Sequence, residues 1–381
     1  MRHLFLLSFL LAFFSCKQEK KQSISVPATV KKITISDAKG FSVEKLEGGI
    51  TIVRITSPWP NSKTGFTYAL VPKEKINTSL LDKSAYDAIV PVPVERIVAT
   101  STTHIPALEA LGATDRLVGF TNTQYISSEA TRKRIEKGEV QELGNNEAIN
   151  TEMVLALQPD VVFGFGIDGQ NKAYETLKRS GIPVVYNGDW TEGSPLGKAE
   201  WIKFFAPFFG KEEAADSIFA AIKSDYLKVK SLAKKAQNKP AVLSGALYKD
   251  VWYLPAGESW AAQFLEDANA DYLWKNTKGT GSLSLSLENV LVKGQSADFW
   301  VSPSEYISYR GLKEGNPHYT QFDAFHNKKI YTFANTKGAT GGLLYFELGP
   351  NRPDMILKDL VHIFHPELLP DYQPYFFKPL E

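Results

Sequence analysis

The chain has almost no cysteine, since Cys16 is the only one among its 381 residues. No disulfide can therefore form within the chain, and a metal site built from several thiolates is excluded. Neither sign of charge is in excess, because 43 lysines and arginines face 42 aspartates and glutamates. A neutral chain has no basic field to hold nucleic acid, so we expect no nucleic-acid partner.

The chain also lacks a long apolar run near its start. Residues Leu4–Phe14 are an apolar run broken only by Ser8, and they are too few to span a bilayer as a permanent helix. A short basic start precedes them and Ser15-Cys16 follows them, as in a secretory signal. A small residue directly before a lone cysteine resembles a bacterial lipobox, in which Cys16 becomes the lipidated first residue. We therefore expect a periplasmic, membrane-anchored lipoprotein with a signal peptide over residues 1–15 and a tether over residues 16–32. A cleaved signal peptide with an incidental cysteine is the alternative.

The remaining chain is too long for a single compact core, and its patterning predicts two lobes. Alternating apolar residues after the tether predict a small antiparallel sheet. Short apolar strands then alternate with helices, which is typical of doubly covered, largely parallel sheets. A strand-free helical stretch separates the two regions that show this pattern. The fold class is therefore α/β, with two doubly wound lobes joined by a long rigid helix and a small N-terminal antiparallel β segment. The expected boundaries are 33–90 for the β-rich extension, 91–195 for the N-terminal lobe, 196–238 for the helical linker and 239–381 for the C-terminal lobe.

The long helix of the linker is expected to be amphipathic. Its apolar positions predict one buried face, formed by Ala214, Ile218, Ala221, Ile222 and Leu227.

One short phrase occurs twice. Asn150-Thr-Glu152-Met-Val is followed by Pro-Asp160, and Ser286-Leu-Glu288-Asn-Val is followed by Ala-Asp298. Each copy predicts a capped helix with a glutamate in its first turn, and then an acid that leads into a buried strand. Helix-dipole chemistry alone explains an acid in a first helical turn. It does not explain why both lobes pair that acid with the same following strand.

A second motif favours a different kind of protein. Gly164-Phe-Gly166-Ile-Asp-Gly169 follows a predicted strand, as in a dinucleotide-binding loop, and Asp189 lies about 20 residues further on. Against this, Asp168 would place a negative charge where a pyrophosphate sits, the strand is not the first of its lobe, and an exported protein has no NAD supply. We interpret the loop as part of a glycine-lined ligand cleft. An exported lipoprotein with dinucleotide-binding or hydrolytic activity at this loop is the alternative.

Catalytic groups are otherwise missing. No G-x-S-x-G nucleophile elbow occurs, and His362 and His365 have no carboxylate spaced to form a metal site with them. We therefore expect no enzyme activity, no metal site and no cofactor.

Ligands of α/β proteins bind at the carboxyl ends of the strands, and aromatic residues cluster at these predicted ends in both lobes. A single aromatic residue is more often core, but the clustering favours a ligand cleft. For Thr103 and His104, an ordinary helix cap is an equal alternative. The expected ligand-binding residues are Thr103, His104, Phe120, Asn122, Tyr125, Phe165, Gly166 and Trp190 from the first lobe and Tyr248, Trp252, Trp260 and Ser302 from the second.

Several of these patterns resemble one family. Arg96-Ile-Val-Ala, the stretch from Ala107 to Gly112, and the two copies of the repeated phrase are similar to the iron–siderophore/cobalamin class of periplasmic substrate-binding proteins of ABC importers. The resemblance covers roughly residues 90–370. It implies two lobes joined by one helix, and one glutamate on each lobe that docks onto arginines of the membrane permease. By motif these glutamates are Glu152 and Glu288.

The resemblance also implies partners and a ligand. The partners are an ABC importer permease with its ATPase, and the chain itself is expected to be a monomer. The ligand is a large chelate, and the absence of an arginine cluster favours a nearly neutral corrinoid such as cobalamin over a ferric siderophore or haem. For haem, Tyr125 or His104 are the available axial ligands.

Overall fold

The computed structural model describes residues 29–78 and 81–381. The signal peptide, Cys16 and most of the tether lie outside these residues. Five strands form the N-terminal sheet in the order β1-β2-β3-β4-β5; they are β1 (Thr29–Lys32), β2 (Phe41–Leu46), β3 (Thr51–Ile55), β4 (Phe66–Pro72) and β5 (Ala88–Val92). The first four strands are antiparallel, as predicted, whereas β5 pairs with β4 in parallel. The last residues of the expected tether belong to this sheet, since they form β1.

The N-terminal sheet shares one hydrophobic core with the first lobe. Val43, Val53 and Tyr68 pack in the same buried cluster as Ile97 and Phe163. The Tyr68 hydroxyl also accepts a hydrogen bond from the backbone N–H of Tyr186 at 3.0 Å. The extension is therefore a covering layer of lobe one rather than an appendage.

Two buried carboxylates fasten the start of this layer. Glu200 accepts the backbone N–H groups of Ser36, Asp37 and Ala38. Glu192 accepts those of residues 39 and 40 at 2.8 Å. Because a carboxylate has about four lone-pair positions, each side chain can hold several consecutive amides of an otherwise irregular segment.

Lobe one is built around a five-stranded parallel sheet. Its strands, with a short hairpin of two further strands, are β6 (Ile97–Ala99), β7 (Leu117–Phe120), β8 (Gln141–Glu142), β9 (Gly144–Asn145), β10 (Ala148–Ile149), β11 (Val161–Gly164) and β12 (Val184–Tyr186). The helices are α1 (His104–Ala110), α2 (Glu129–Glu136), α3 (Thr151–Leu157) and α4 (Lys172–Arg179). The sheet order is β12-β11-β6-β7-β8, with helices between successive strands. This is the predicted doubly wound arrangement.

Three helices follow lobe one: α5 (Pro195–Glu200), α6 (Ile202–Phe209) and α7 (Glu212–Ala233). At 1.5 Å per residue, α7 is about 33 Å long. Its first half places Phe219 in the core of lobe one, and its second half places Tyr226 and Val229 in the core of lobe two. A single rigid helix thus joins the lobes, as the fold class predicts.

The buried face of α7 differs from the predicted one. Ile222 is buried, but Ala214, Ala221 and Leu227 are exposed. The buried residues are Ala215, Phe219, Ile222, Tyr226, Val229 and Ala233. The large aromatic residues determine which stripe of the helix faces the two cores, because they bury the most apolar area.

Lobe two repeats the architecture with additions. Its strands are β13 (Ala241–Ser244), β14 (Ala246–Tyr248), β15 (Val251–Pro255), β16 (Asp271–Tyr272), β17 (Ser282–Leu285), β18 (Phe299–Val301), β19 (Ile330–Thr332) and β20 (Lys378–Pro379). Its helices are α8 (Trp260–Asp267), α9 (Leu287–Gly294), α10 (Tyr309–Gly315), α11 (Asp323–His326), α12 (Leu344–Glu347) and α13 (Pro353–Phe364). The main sheet runs β16-β13-β18-β19-β20, parallel except for β20, and β14-β15-β17 form a small antiparallel sheet.

The aspartates at the ends of the two copies of the repeated phrase make equivalent hydrogen bonds. Asp160, before β11, accepts the backbone N–H groups of Glu95 and Arg96 at 2.6 and 3.1 Å, immediately before β6. Asp298, before β18, accepts the N–H of Ala241 at the start of β13 at 2.8 Å. In each lobe the acid therefore joins two neighbouring strands at the edge where both begin, so this part of the repeat stabilises the sheets.

Candidate functional site

A cavity of about 560 Å³ lies between the lobes at the carboxyl edge of the lobe-one sheet. Lobe one contributes the ends of β6, β7 and β11 and the β9–β10 turn, and lobe two contributes two loops and α12. Its lining includes Phe120, Asn122, Tyr125, Glu147 and Phe165 from lobe one and Glu305 and Phe346 from lobe two. The position at strand ends is the one that parallel α/β sheets use for ligands.

The lobe-one wall is held by backbone hydrogen bonds to a single carboxylate. Glu142, at the end of β8, accepts the N–H groups of Asn122, Thr123 and Gly144 at 2.7 to 3.0 Å. Asn122 has a φ of 53°, in the left-handed region, and begins the short turn that presents Tyr125. Since non-glycine residues rarely adopt this conformation, the surrounding bonds must maintain it.

A second cavity of about 330 Å³ continues into lobe two. Tyr248, Trp260 and Ser302 line it, together with Tyr345. The ring of Trp260 lies 5.6 Å from that of Tyr345. Phe346 lines both cavities and therefore stands between them.

The loop after β18 carries strained backbone at the second cavity. Ser302 and Ser304 both have positive φ, of 56° and 53°, and the N–H of Ser304 donates to the carbonyl of Ser302 at 2.7 Å. Both residues line the cavity. Backbone strain of this kind is common at ligand sites, where contacts with the surrounding structure hold the loop in its conformation.

Seven of the twelve predicted ligand-binding residues line these two cavities. Tyr125 and Tyr248 are the most exposed of them, at 55% and 67%. Large exposed aromatic side chains on the walls of a cleft are suited to stacking against a flat ligand. The full set is Phe120, Asn122, Tyr125 and Phe165 in the first cavity and Tyr248, Trp260 and Ser302 in the second.

His104 does not reach either cavity. It is 0% exposed, its ring packs edge-on against Phe205 at 5.4 Å, and both ring nitrogens lack a hydrogen-bond partner. Burial lowers the pKa of His104 to about 4, partly opposed by the charge of Asp189, so the ring is neutral. Its burial also removes it from the expected axial haem ligands.

The other four predicted residues also lie outside the two linings. Trp252 is buried in the core of lobe two, stacked on Trp300 at 5.5 Å. Thr103 directly precedes α1 without a side-chain capping hydrogen bond, and its carbonyl accepts a hydrogen bond from the side chain of Asn351. Trp190 is partly exposed beside lobe one. The rule that strand ends face the ligand cannot distinguish side chains that turn inward from those that turn outward.

Gly166 takes part in a different contact. A Cβ on Gly166 would lie 2.8 Å from the ring of Trp59, and one on Gly169 would lie 2.5 Å from the same ring. Trp59, from the N-terminal extension, therefore covers the glycine-rich loop. Asn171 caps the following helix by accepting the N–H of Tyr174 at 3.1 Å. Gly166 and Gly169 are thus explained by close packing of Trp59, and Gly164 by close packing of Tyr174, whose hydroxyl would lie 2.5 Å from a Cβ there.

The cleft is poor in positive charge. Among the described residues that line the two cavities there is no lysine or arginine, and the charged ones are Glu147 and Glu305. Lys198 lies behind Trp260 at 5.2 Å from its ring, but it is buried and donates to the carbonyls of Asp189 and Trp190. The wall that a ligand meets is therefore aromatic and weakly acidic.

Sequence reasoning missed the two acids and Phe346. The rule that ligands bind at strand ends could have identified Glu305, because this residue follows Ser302 by only three positions. Glu147 lies in a tight turn, and Phe346 lies on α12, far along the chain from any strand end that the pattern identifies. No signal in the sequence marks either of them.

The two glutamates of the repeated phrase occupy matching positions. Glu152 lies in the first turn of α3, which Asn150 caps by accepting the N–H of Met153 at 3.0 Å. Glu288 lies in the first turn of α9, which Ser286 caps in the same way. Both glutamates are exposed. The backbone N–H of Glu288 and the hydroxyl of Ser286 hold the pKa of the Glu288 carboxyl below its usual range.

Across residues 29–78 and 81–381, no group of three or more histidine, cysteine, aspartate or glutamate side chains is placed to hold a metal ion. In the same part of the chain, no helix is both long and apolar enough to cross a membrane.

Two α/β lobes joined by one long helix, with a cavity between them, define a two-lobed substrate-binding protein. The chain belongs to the periplasmic binding protein family, which matches residues 97–336. The family and fold are those of substrate-binding proteins rather than enzymes.

Relatives and solved structures agree with this assignment. An uncharacterized lipoprotein of Methanocaldococcus jannaschii is 29% identical, over 76% of this chain and 69% of its own length. A vitamin B12-binding protein of Vibrio parahaemolyticus is 23% identical, over 53% of this chain and 68% of its own length. The crystal structure of a periplasmic heme binding protein from Pseudomonas aeruginosa covers 76% of this chain and 98% of its own, with a TM-score of 0.57 and 19% identity. At that identity the likeness shows the fold alone.

Proposed function

We propose that this protein is an extracytoplasmic solute-binding lipoprotein that captures a large chelate between its lobes and delivers it to the permease of an ABC importer. The observation that carries the proposal is the cleft itself, which is lined by aromatic side chains from strand ends and helices of both lobes. Pockets of this kind bury most of a ligand against apolar walls and orient it with a few polar groups. We propose that it acts as a monomer and without catalysis.

The charge of the cleft favours a corrinoid over an anionic ferric siderophore. Glu147 and Glu305 line the first cavity, and their charges repel an anion, whereas a nearly neutral corrinoid meets no such penalty. The similarity to a protein named for binding vitamin B12 supports this choice. Haem, which the structural relative is named for, is the second candidate, with Tyr125 exposed on the wall as its axial ligand.

Delivery is assigned to Glu152 and Glu288. Each is exposed in the first turn of a capped helix at the equivalent place in its lobe, which suits two matching contacts with arginines of one permease. The anchor is assigned to Cys16, supported by the relatives that are named lipoproteins. The protein would then be held at the membrane surface of the periplasm, beside the permease and its ATPase.

Thermal unfolding of the chain from Lys17 onward, with cobalamin, haem and several ferric siderophores, tests the proposal. A ligand present at 100 times its dissociation constant adds about 2.7 kcal/mol to the free energy of unfolding. We expect cobalamin to raise the melting temperature and the siderophores to leave it unchanged. If none of these ligands stabilises the protein, the proposed function is wrong.

A further inference from the structure

One segment of lobe two crosses the cleft and contacts lobe one. We call residues 338–351 the latch segment. Thr340 donates its hydroxyl hydrogen to the carbonyl of Gln124 at 2.7 Å. A Cβ on Gly342 would overlap the carbonyl oxygen of Tyr125, so the segment lies directly against the turn that presents Tyr125 to the ligand cavity.

Glu347 makes the central contact of the latch segment. Its carboxylate accepts the backbone N–H groups of Ser127 at 2.6 Å and Ser128 at 3.0 Å, on the other side of the cleft. The residue is only 3% exposed. The titratable groups that interact with its charge are Glu109 on α1 and Tyr375 near the C-terminus. Burial raises the pKa of Glu347 to about 6, opposed by the amides of Ser127 and Ser128.

The neighbouring residue, Phe346, lines both ligand cavities and so lies at their common boundary. It is 50% exposed and packs against Phe333 and Tyr345, with ring centres 5.3 Å apart in both pairs. Because Phe346 and Glu347 are consecutive on the four-residue helix α12, the bonds of the carboxylate fix the backbone from which the phenyl ring projects. The contact to lobe one therefore holds the ring in the middle of the cleft.

The division of the cleft has a consequence for ligand size. Cavities of about 560 and 330 Å³ each fall within the range of roughly 300–1,000 Å³ that holds a drug-sized ligand. A corrinoid with its side chains is larger than such a ligand. It therefore needs both cavities at once, and Phe346 is the residue that lines both of them.

We propose that Glu347 is a positioning residue of the ligand site, whose bonds to Ser127 and Ser128 keep Phe346 between the two cavities, so that a corrinoid-sized ligand binds only after this contact opens. The proposal rests on the proposed function for the identity of the ligand. The opening of the contact itself can be measured without any ligand.

Hydrogen exchange of the amides of Ser127 and Ser128 is the ligand-free test. Glu347→Ala leaves two N–H groups without an acceptor, and each such loss costs enough to lower the protection of these amides about tenfold or more. Asp359→Asn is the matched control, because Asp359 is a buried carboxylate that accepts the N–H groups of Phe376 and Phe377 within lobe two. We expect the control to leave the protection at residues 127 and 128 unchanged. Equal protection in the wild type and in Glu347→Ala would overturn the proposal.

If the alanine variant does not fold, the pH dependence of hydrogen exchange at Ser127 and Ser128 in the wild type provides the test. Because the pKa of Glu347 is raised from 4.5 to about 6 in the closed contact, the closed form is favoured when the carboxyl is protonated. Opening becomes easier as the pH rises from 4.5 to about 6, above which the carboxyl is ionised in both forms and the opening free energy no longer changes. After correction for intrinsic rates, protection at residues 127 and 128 should fall between about pH 4 and pH 6 in the wild type and stay nearly constant above about pH 7. In Glu347→Gln it should stay constant. A wild-type profile as flat as that of the variant would overturn the proposal.

The rate of cobalamin association is the second test. Phe346→Ala removes the ring that divides the cleft, and Glu347→Ala frees it, so both variants should bind cobalamin at least several-fold faster than the wild type. Only the second should change exchange at residues 127 and 128. Unchanged association rates in both variants would overturn the positioning role. If cobalamin binds to none of the proteins, the corrinoid assignment fails, while the exchange experiment still decides whether the contact opens.

Discussion

Replacing Glu200 by alanine should loosen the N-terminal sheet from lobe one. The carboxylate accepts three consecutive amides, those of Ser36, Asp37 and Ala38, at 2.6 to 3.0 Å, and it is fully buried. Lys203 lies 3.2 Å from it. A buried N–H group that loses its acceptor costs about 1–3 kcal/mol. Only the amide of Ala38 belongs to a buried residue, whereas Ser36 is exposed and its amide can bond to water. The expected loss is therefore about 3 kcal/mol and not three times the cost of one amide.

Equilibrium urea unfolding at pH 7 measures this loss. Glu213→Ala is the matched control, since Glu213 is an exposed acid on α7 and a substitution there should change the free energy of unfolding by no more than about 0.5 kcal/mol. A loss below about 1 kcal/mol for Glu200→Ala would refute the view that this carboxylate fastens the extension to the lobe.

Two further predictions concern the docking glutamates and His104. The double substitution Glu152→Arg with Glu288→Arg should leave the cobalamin affinity unchanged and abolish uptake in cells. The control pair Glu213→Arg with Glu314→Arg should permit uptake. Transport that survives the first pair would contradict the docking assignment. Burial lowers the pKa of His104 from 6.5 to about 4. Because the unfolded chain binds the proton more readily, the free energy of unfolding of the wild type falls by about 3 kcal/mol between pH 6.5 and pH 4. His104→Leu should lack this loss in urea unfolding between pH 7 and pH 4, and identical pH profiles for the two proteins would show that another group is responsible.

The two-lobed α/β fold follows from features that the sequence expresses locally. Strand and helix periodicity, capping residues such as Asn150 and Ser286, and the repeated acid before a buried strand all depend on neighbours within about ten residues along the chain. The structure adds the reason for the repeated acid, since Asp160 and Asp298 each bind backbone amides of the adjacent strand.

Features that depend on distant parts of the chain were not accessible in this way. Trp59 covers the glycine-rich loop from more than 100 residues away, so the loop resembled a nucleotide site when considered alone. His104 turns into the core, although its position after a strand predicted a ligand contact. The contact of Glu347 with Ser127 spans 220 positions, and no local pattern records such a pairing. Sequence periodicity thus predicts the elements, whereas side-chain direction and long-range contacts decide the composition of the site.

Calorimetric titration of cobalamin into the protein and into a Tyr125→Ala, Trp260→Ala double variant is the most direct test of the central claim, that a corrinoid binds between the lobes. One of these aromatic side chains lines the first cavity and the other lines the second. Because aromatic contacts contribute about 0.5–1.5 kcal/mol each beyond the area that they bury, we predict one cobalamin per protein and an affinity at least tenfold lower in the double variant. The absence of binding to the wild type, or equal affinity in both proteins, would contradict the claim.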